Sequence, residues 1–146
     1  MEECLFCDRE EIKSEILYES DNFFVKVGVS ILAPGHVMLI PKDHFTCFAG
    51  IPDEFNDEIL LMKQKIFDNV KDEFFEPLIY EHGVYSQSVN HAHLHFVPAK
   101  NEYFDLRDIK RVIFTELMST QIEDFFKIKD IFEKEGSYFY FEEKDR

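Results

Sequence analysis

Tryptophan is absent from this 146-residue chain, and cysteine, glycine and proline occur only three, five and five times. Without tryptophan, the bulky packing falls to 17 phenylalanines and six tyrosines. Three cysteines are too few for a disulfide scaffold, and no stretch rich in glycine, serine or proline marks a linker between domains. We therefore expect a single domain over residues 1–146, which is long enough to bury a hydrophobic core.

Basic side chains are also scarce, because 16 lysines and arginines stand against 30 aspartates and glutamates, a formal net charge of −14. This balance argues against a long nucleic acid or an anionic membrane as partner, since both need a basic face. A small anionic ligand remains possible where a pocket supplies hydrogen-bond donors. No apolar run approaches transmembrane length. The chain also starts with acidic residues, Met-Glu-Glu-Cys, where a signal peptide is basic, so we expect a cytoplasmic protein.

Hydrophobic spacing predicts an α+β domain. A stripe of apolar residues three and four apart indicates a long helix over about residues 53–73. Thr120-Gln121-Ile122-Glu123 fits a capping box for a second helix, which Gly136 would end. Strands and helices do not alternate regularly, so the sheet should be mainly antiparallel. Strands are predicted at Ile16–Tyr18, Phe23–Val27, His36–Ile40, Leu78–Glu81, Val89–Val97 and Ser137–Phe141.

The strongest chemical signal is the run His91-Ala92-His93-Leu94-His95. Alternate side chains of a strand share a face, so the three histidines should point one way and Ala92 and Leu94 into the core. Three adjacent cations would repel, so some rings must be neutral near pH 7. Neutral imidazole serves as a metal ligand, base or nucleophile. In a flat strand His91 and His95 lie roughly 13 Å apart, so one ion could not bind both, and the rings should have different roles.

Three motifs then give the chain a family resemblance. Gln87-Ser88-Val89-Asn90 followed by the histidine run resembles the signature of the histidine triad superfamily, His-φ-His-φ-His-φ-φ with φ hydrophobic. Pro34-Gly35-His36, an apolar strand and Pro41-Lys42-Asp43-His44 resemble the second family motif, and Cys4-x-x-Cys7 matches zinc-containing members. The resemblance spans roughly residues 1–98.

It implies a HIT-like α+β fold. In this fold a mainly antiparallel sheet of about five strands packs with a long central helix. The present chain would add a C-terminal extension of helix and strand over about residues 99–146.

The resemblance implies a nucleotide hydrolase or nucleotidyl transferase that acts at the α-phosphate of nucleoside phosphoramidates, adenylylated amines or dinucleoside polyphosphates. His93 would be the nucleophile and would form a covalent nucleotidyl-histidine that water then hydrolyses. Its other ring nitrogen needs an acceptor, for which a backbone carbonyl is expected. His95, Ser88 and Gln87 would contact the substrate, with Ser88 and His95 also helping catalysis. His36 would lie close to the nucleophile and support it.

The resemblance also implies a structural zinc ion held by Cys4, Cys7, His44 and His91, since four protein ligands close a tetrahedral site. Such an ion would tie the N-terminal segment to the catalytic strand. The alternatives for the cysteine pair are a reduced, metal-free state or a redox dithiol, although no thioredoxin-like β-α-β pattern surrounds it. Cys47 is interpreted as a buried or idle thiol.

Two departures from the family pattern affect the expected substrate. Gly28 stands where many members carry the Asp or Asn that binds the ribose hydroxyls. Glu81-His82-Gly83 occupies a segment that often holds an asparagine contact to the nucleotide. Both motivate an alternative function, a nucleotide-binding regulatory module with little or no turnover. A third possibility is a hydrolytic metalloenzyme built on the histidine face. Many family members are homodimers joined across the long helix and a sheet edge, so a homodimer is also expected.

Overall fold

The structure is a computed structural model that describes residues 4–28, 34–84, 87–100 and 120–143. The helices are α1 (Asn56–Glu73) and α2 (Ile128–Glu135). The strands are β1 (Ile16–Glu19), β2 (Phe23–Val27), β3 (Val37–Pro41), β4 (Pro77–Gly83), β5 (Leu94–Pro98) and β6 (Tyr138–Glu142). Within these ranges the strands form a six-stranded antiparallel sheet in the order β1-β2-β3-β5-β4-β6. The predicted α+β class is confirmed, and β6 is the predicted strand of the C-terminal extension, which joins the sheet as its sixth strand.

The predicted long helix is present, although it begins slightly later than expected. Asp53–Phe55 forms a 3-10 turn after Pro52, and α1 follows directly. Its stripe of Ile59, Met62 and Ile66 is buried against the sheet. Because the chain covers this stripe itself, a homodimer would need another surface, and the expected dimer stays a prediction. Across the described residues, no helix has both the length and the apolar character needed to cross a membrane.

The capping-box prediction at Thr120–Glu123 is wrong. The cap of the C-terminal helical segment is Asp124, whose carboxylate accepts a hydrogen bond from the backbone N–H of Phe126 at 2.8 Å. A 3-10 turn then leads into α2. Aspartate is among the best N-caps, so the helical segment is capped at Asp124 and not at Thr120. Gly136 ends α2 in the left-handed conformation, with φ 79°, as predicted.

Two apolar clusters lie on opposite faces of the sheet. The larger holds α1 and the C-terminal segment against strand residues such as Leu39, Leu94 and Phe96. The smaller is built by the N-terminal segment, which packs Phe6 and Ile12 on the other face. Its strand residues are Phe24, Met38 and Ile40. The sheet therefore has a helix-covered face and a face partly covered by residues 4–12.

The histidine strand is shorter than predicted. β5 begins at Leu94, because the backbone N–H of Ala92 donates to the carbonyl of Phe45 at 2.6 Å instead of joining the sheet. The predicted alternation of faces nevertheless holds. Ala92 and Leu94 are buried in the helix-side cluster, while the ring of His93 contacts Phe6 on the other face.

A candidate metal centre beside a histidine site

The four predicted metal ligands come together from three separate parts of the chain. Cys4 and Cys7 lie in the N-terminal turn, His44 follows β3, and His91 precedes β5. Their ligand atoms all lie within 4.8 Å of one another. Sγ of Cys4 is 3.4 Å from Nδ1 of His91, Sγ of Cys7 is 3.3 Å from Nδ1 of His44, and the two Nδ1 atoms are 3.2 Å apart. Ligands around a tetrahedral zinc are separated by roughly 3.3–3.8 Å, so this cluster could hold the ion.

The protonation chemistry of the cluster also suits a cation. Nε2 of His91 lies 2.8 Å from the carbonyl of Pro41 and must carry the proton that it donates, so Nδ1 presents its lone pair to the cluster. Burial lowers the pKa of His91 to about 4, which keeps the ring neutral. Burial, with a further effect of Cys4, raises the pKa of Cys7 to about 11. A Cys7 thiolate in this position therefore needs a nearby cation, which Zn²⁺ would supply.

His93 has one ring nitrogen engaged by the backbone. Its Nδ1 lies 2.6 Å from the carbonyl of His91 and donates to it. This carbonyl is the backbone acceptor expected from the sequence, and it fixes the tautomer that leaves the lone pair on Nε2. Burial is the largest cause that lowers the pKa of His93, with smaller effects of His82 and Lys26. The ring is 2% exposed and is neutral near pH 7.

His95 lies between two side chains. Its ring stacks on Tyr80 with centroids 4.3 Å apart and planes inclined by 7°, and its Nδ1 is 2.9 Å from Nε2 of His36. Burial, followed by the charges of His93 and His36, lowers the pKa of His95 to about 2. A Cβ atom on Gly28 would lie 2.8 Å from Nδ1 of His36, closer than side chains tolerate. The residue that departs from the family pattern thus makes room for the His36 ring.

Gln87 and Ser88, the two predicted polar contacts to substrate, have different surroundings in the structure. The Nε2 of Gln87 donates to the carbonyl of Thr46 at 2.6 Å, so it is already used. Its Oε1 is buried and finds no donor among the described residues, which leaves an acceptor for a ligand. Ser88 is exposed in the bend that precedes His91.

Sequence reasoning missed two aromatic side chains at this site. Phe6 lies between the two cysteine ligands and packs edge-on against the rings of His91 and His93, with centroids 5.8 and 5.4 Å away. Tyr80 supports His95 from β4. Strand alternation could have put Tyr80 on one face, but the contact depends on the pairing of Tyr80 with His95, which local sequence does not encode.

These observations define a small α+β domain in which one histidine run connects a Cys₂His₂ cluster to a pocket of neutral imidazoles. A family model described as the HIT domain matches residues 9–102, more than half of the chain. The protein therefore belongs to the HIT, or histidine triad, family.

Named relatives and solved structures agree with this assignment. Adenosine 5′-monophosphoramidase HNT1 of Saccharomyces cerevisiae is 29% identical over 101 residues, which cover 68% of this chain and 64% of that protein. The match thus spans a little under two thirds of that relative. Bis(5′-adenosyl)-triphosphatase of Dictyostelium discoideum is 27% identical over 100 residues, 66% of this chain and 67% of that protein. The crystal structure of a HIT family protein from Bacillus anthracis shares the fold, with a TM-score of 0.62 at 22% identity over 80% of this chain and 99% of that one.

Proposed function

We propose that this chain hydrolyses nucleotide conjugates at the α-phosphate through a nucleotidyl group carried on His93. The observation that carries the proposal is the 2.6 Å contact between Nδ1 of His93 and the carbonyl of His91. It gives a buried, neutral imidazole whose Nε2 lone pair is held in one direction. The similarity to an adenosine 5′-monophosphoramidase and a bis(5′-adenosyl)-triphosphatase supports adenosine phosphates as the substrate class.

In the first proposed step, Nε2 of His93 attacks the α-phosphorus while the bond to the leaving group breaks. The leaving amine or phosphate departs with the bonding electron pair, and an amine takes up a proton from water. The imidazole becomes cationic on forming the P–N bond, and the proton remains on Nδ1, from which it is donated in the hydrogen bond to the carbonyl of His91. In the second step water attacks the same phosphorus and gives a proton to solvent, the electron pair of the breaking P–N bond returns to Nε2, and a nucleoside monophosphate and neutral His93 are released.

The neighbouring side chains would stabilise charge on the phosphoryl oxygens. If Nε2 of His36 donates to Nδ1 of His95, the neutral His95 carries its own proton on Nε2 and can donate it to the phosphate. Ser88 would add a hydroxyl donor, and one well-directed donor is worth roughly 3–4 kcal/mol in comparable transition states. The buried Oε1 of Gln87 would accept a hydrogen bond from a substrate hydroxyl or amine.

The proposed metal has a structural role. Cys4, Cys7, His44 and His91 would hold Zn²⁺ with no ligand position left open. When bound, the ion supplies a cross-link between the N-terminal turn, the loop after β3 and the segment before β5. His91 would thereby be fixed two residues before the nucleophile, with its carbonyl in position. We propose that residues 1–146 form the single domain in which this site works.

Trapping of the covalent intermediate tests the proposal directly. The purified protein is mixed with adenosine 5′-phosphoramidate or a dinucleoside polyphosphate, and released AMP is measured together with acid-quenched samples at early times. We expect a burst of protein-bound adenylate that peptide mass spectrometry locates on His93. AMP release with no adenylate on His93 would contradict the covalent route. Tight nucleotide binding by calorimetry with no AMP release would instead indicate the regulatory module.

A further inference from the structure

The cysteines of the Cys₂His₂ cluster are open to chemistry that its histidines cannot undergo. Cys7 is exposed and Cys4 is half-buried, while the third cysteine of the chain, Cys47, is 0% exposed. A dissolved oxidant therefore reaches the sulfur of Cys7 from solvent. The susceptibility of a thiolate to oxidation follows its accessibility, and sensor cysteines often lie next to a second cysteine that resolves the first product. Cys4 and Cys7 meet both conditions.

The turn that joins the two cysteines already has the span of a disulfide. The backbone N–H of Cys7 donates to the carbonyl of Cys4 at 3.1 Å, which closes a four-residue turn. The first and last Cα atoms of such a turn lie within about 7 Å, and a disulfide joins Cα atoms roughly 4.4–6.8 Å apart. The two Sγ atoms are within 4.8 Å of each other. Rotation of the side chains, with little movement of the backbone, therefore suffices to join them.

The same turn carries Phe6, which connects the cluster to the nucleophile. Phe6 is 0% exposed, and its ring packs edge-on against His91 and His93, with centroids 5.8 and 5.4 Å away. A disulfide would take two of the four ligands from the cluster and leave only His44 and His91, which is half of a closed tetrahedral set. The turn would then lose its tie to these two histidines, and Phe6 would lose its fixed position against His93.

We propose that Cys4 and Cys7 are a modification site for hydroperoxides, at which formation of a disulfide releases the metal and weakens the support of His93. The inference rests on the zinc cluster of the proposed function and adds oxidative control to it. The oxidised protein keeps its sheet and α1, because the helix-side cluster is built from residues that follow the N-terminal turn. The result is a less active protein, whose activity a thiol reductant and Zn²⁺ restore.

The chemistry balances with the hydroperoxide as the oxidant. The thiolate of Cys7 attacks the hydroxyl oxygen of the peroxide, the O–O bond breaks, and hydroxide or alkoxide leaves with the electron pair, so that Cys7 becomes a sulfenic acid. The thiolate of Cys4 then attacks Sγ of Cys7, the S–S bond forms, and the S–O bond breaks with release of hydroxide. Together the two thiolates give up two electrons, the peroxide takes them up, and the departing oxygens take protons from water.

A peroxide time course on the full chain tests the site. The purified protein is loaded with Zn²⁺, separated from excess metal and reductant, and treated with hydrogen peroxide, which catalase removes at each time point. A metal-sensitive dye measures released zinc, peptide mass spectrometry without reduction measures the disulfide, and adenosine 5′-phosphoramidate measures turnover. We expect zinc release, the Cys4–Cys7 disulfide and the loss of turnover to share one time course. The value of kcat/KM should fall about tenfold without reaching zero, the scale expected when a nucleophile is displaced by less than about 1 Å.

Cys47→Ala is the matched control, because it removes the buried thiol and leaves the four cluster residues unchanged. It should lose zinc and turnover at the wild-type rate, and both proteins should recover with a thiol reductant and Zn²⁺. Protection by Cys47→Ala, or a loss of turnover that the reductant does not reverse, would overturn the proposal. A disulfide that leaves turnover unchanged would also overturn it, as would a chain that takes up no zinc.

Failure of the proposed hydrolase gives a different result. A protein that releases no AMP before oxidation, yet forms the disulfide and releases zinc, contradicts the hydrolase and supports the oxidation site alone. An active protein in which peroxide causes neither the disulfide nor zinc release overturns the oxidation site and leaves the hydrolase intact.

Discussion

His91 and His95 lie four residues apart in one run, yet their rings have opposite surroundings. His91 has both nitrogens engaged, Nε2 by the carbonyl of Pro41 and Nδ1 by the cysteine and histidine cluster. His95 is held by the face of Tyr80 and by a hydrogen bond between its Nδ1 and Nε2 of His36. The first end of the run is thus suited to a closed set of ligands. The second end is suited to keeping ring nitrogens for a substrate, with His93 between the two.

The largest effect is expected from the replacement of His93, which lies between these two ends of the run. His93→Ala should lower kcat/KM on the order of 10⁴-fold, because the nucleophile is lost. Its metal content should stay close to that of the wild type, since the ring is not a ligand of the cluster. Kinetics with adenosine 5′-phosphoramidate and metal analysis of the same sample measure both properties. Comparable activity in the variant would remove His93 from the mechanism.

At the cluster that His91 joins, we expect a substitution to lower metal content and stability. Cys4→Ser should lose bound zinc and lower the free energy of unfolding by on the order of 4 kcal/mol, because a structural metal contributes directly to folding. Cys47→Ala is the matched control, since Cys47 is buried outside the cluster. Denaturant unfolding and metal analysis follow the two variants. A chelator that stops turnover while the protein stays folded would favour the metalloenzyme instead.

A smaller effect is expected from Gly28→Ala. The new Cβ would lie 2.8 Å from Nδ1 of His36, so the ring must shift and weaken its 2.9 Å hydrogen bond to His95. We expect kcat to fall about tenfold, the cost of weakening one hydrogen bond. Gly50→Ala is the control, because an added Cβ there meets no atom within 4 Å. Equal kcat values for the two variants would show that the His36 position does not matter for turnover.

The last prediction concerns the pH dependence of stability on the opposite face of the sheet. Glu81 is fully buried and accepts hydrogen bonds from the backbone N–H of Phe48 and the hydroxyl of Tyr138. Burial raises its pKa to about 7. The folded protein therefore holds a proton that the unfolded chain releases above about pH 4.5, and this contribution to stability is lost as pH rises towards 7.

The lowered pKa values of His91 and His95 act in the other direction, because the unfolded chain takes up protons below about pH 6.5. Glu81→Gln should therefore remove the component of stability that falls with rising pH, a change on the order of 2 kcal/mol between pH 5 and 8. Urea unfolding across this range measures it, with the exposed Glu133→Gln as control. If the two variants keep the same slope, the Glu81 carboxyl does not titrate in this window.

The sequence was sufficient to predict the features that follow from residue spacing or from the family motifs. The apolar stripe of α1 and the alternation around the histidine run follow from periodicity, and the four candidate ligands of the cluster follow from the family resemblance. The start of β5 does not, because the N–H of Ala92 bonds to Phe45, a residue far away in the chain. The pairing of β6 with β4 also depends on non-local register. These contacts place Tyr80 and Phe139 near the histidines.

The carbonyl of His91, which accepts a hydrogen bond from Nδ1 of His93, has an evolutionary consequence. Because it belongs to the main chain, no amino-acid substitution at position 91 deletes it. The tautomer of His93 is thus set by the path of the backbone and not by the identity of residue 91. A deep mutational scan can measure protein abundance and turnover separately. We expect substitutions at position 91 to lower mainly abundance, and substitutions at position 93 to lower mainly turnover. Substitutions could accumulate at surrounding positions while the ring of His93 kept the same tautomer.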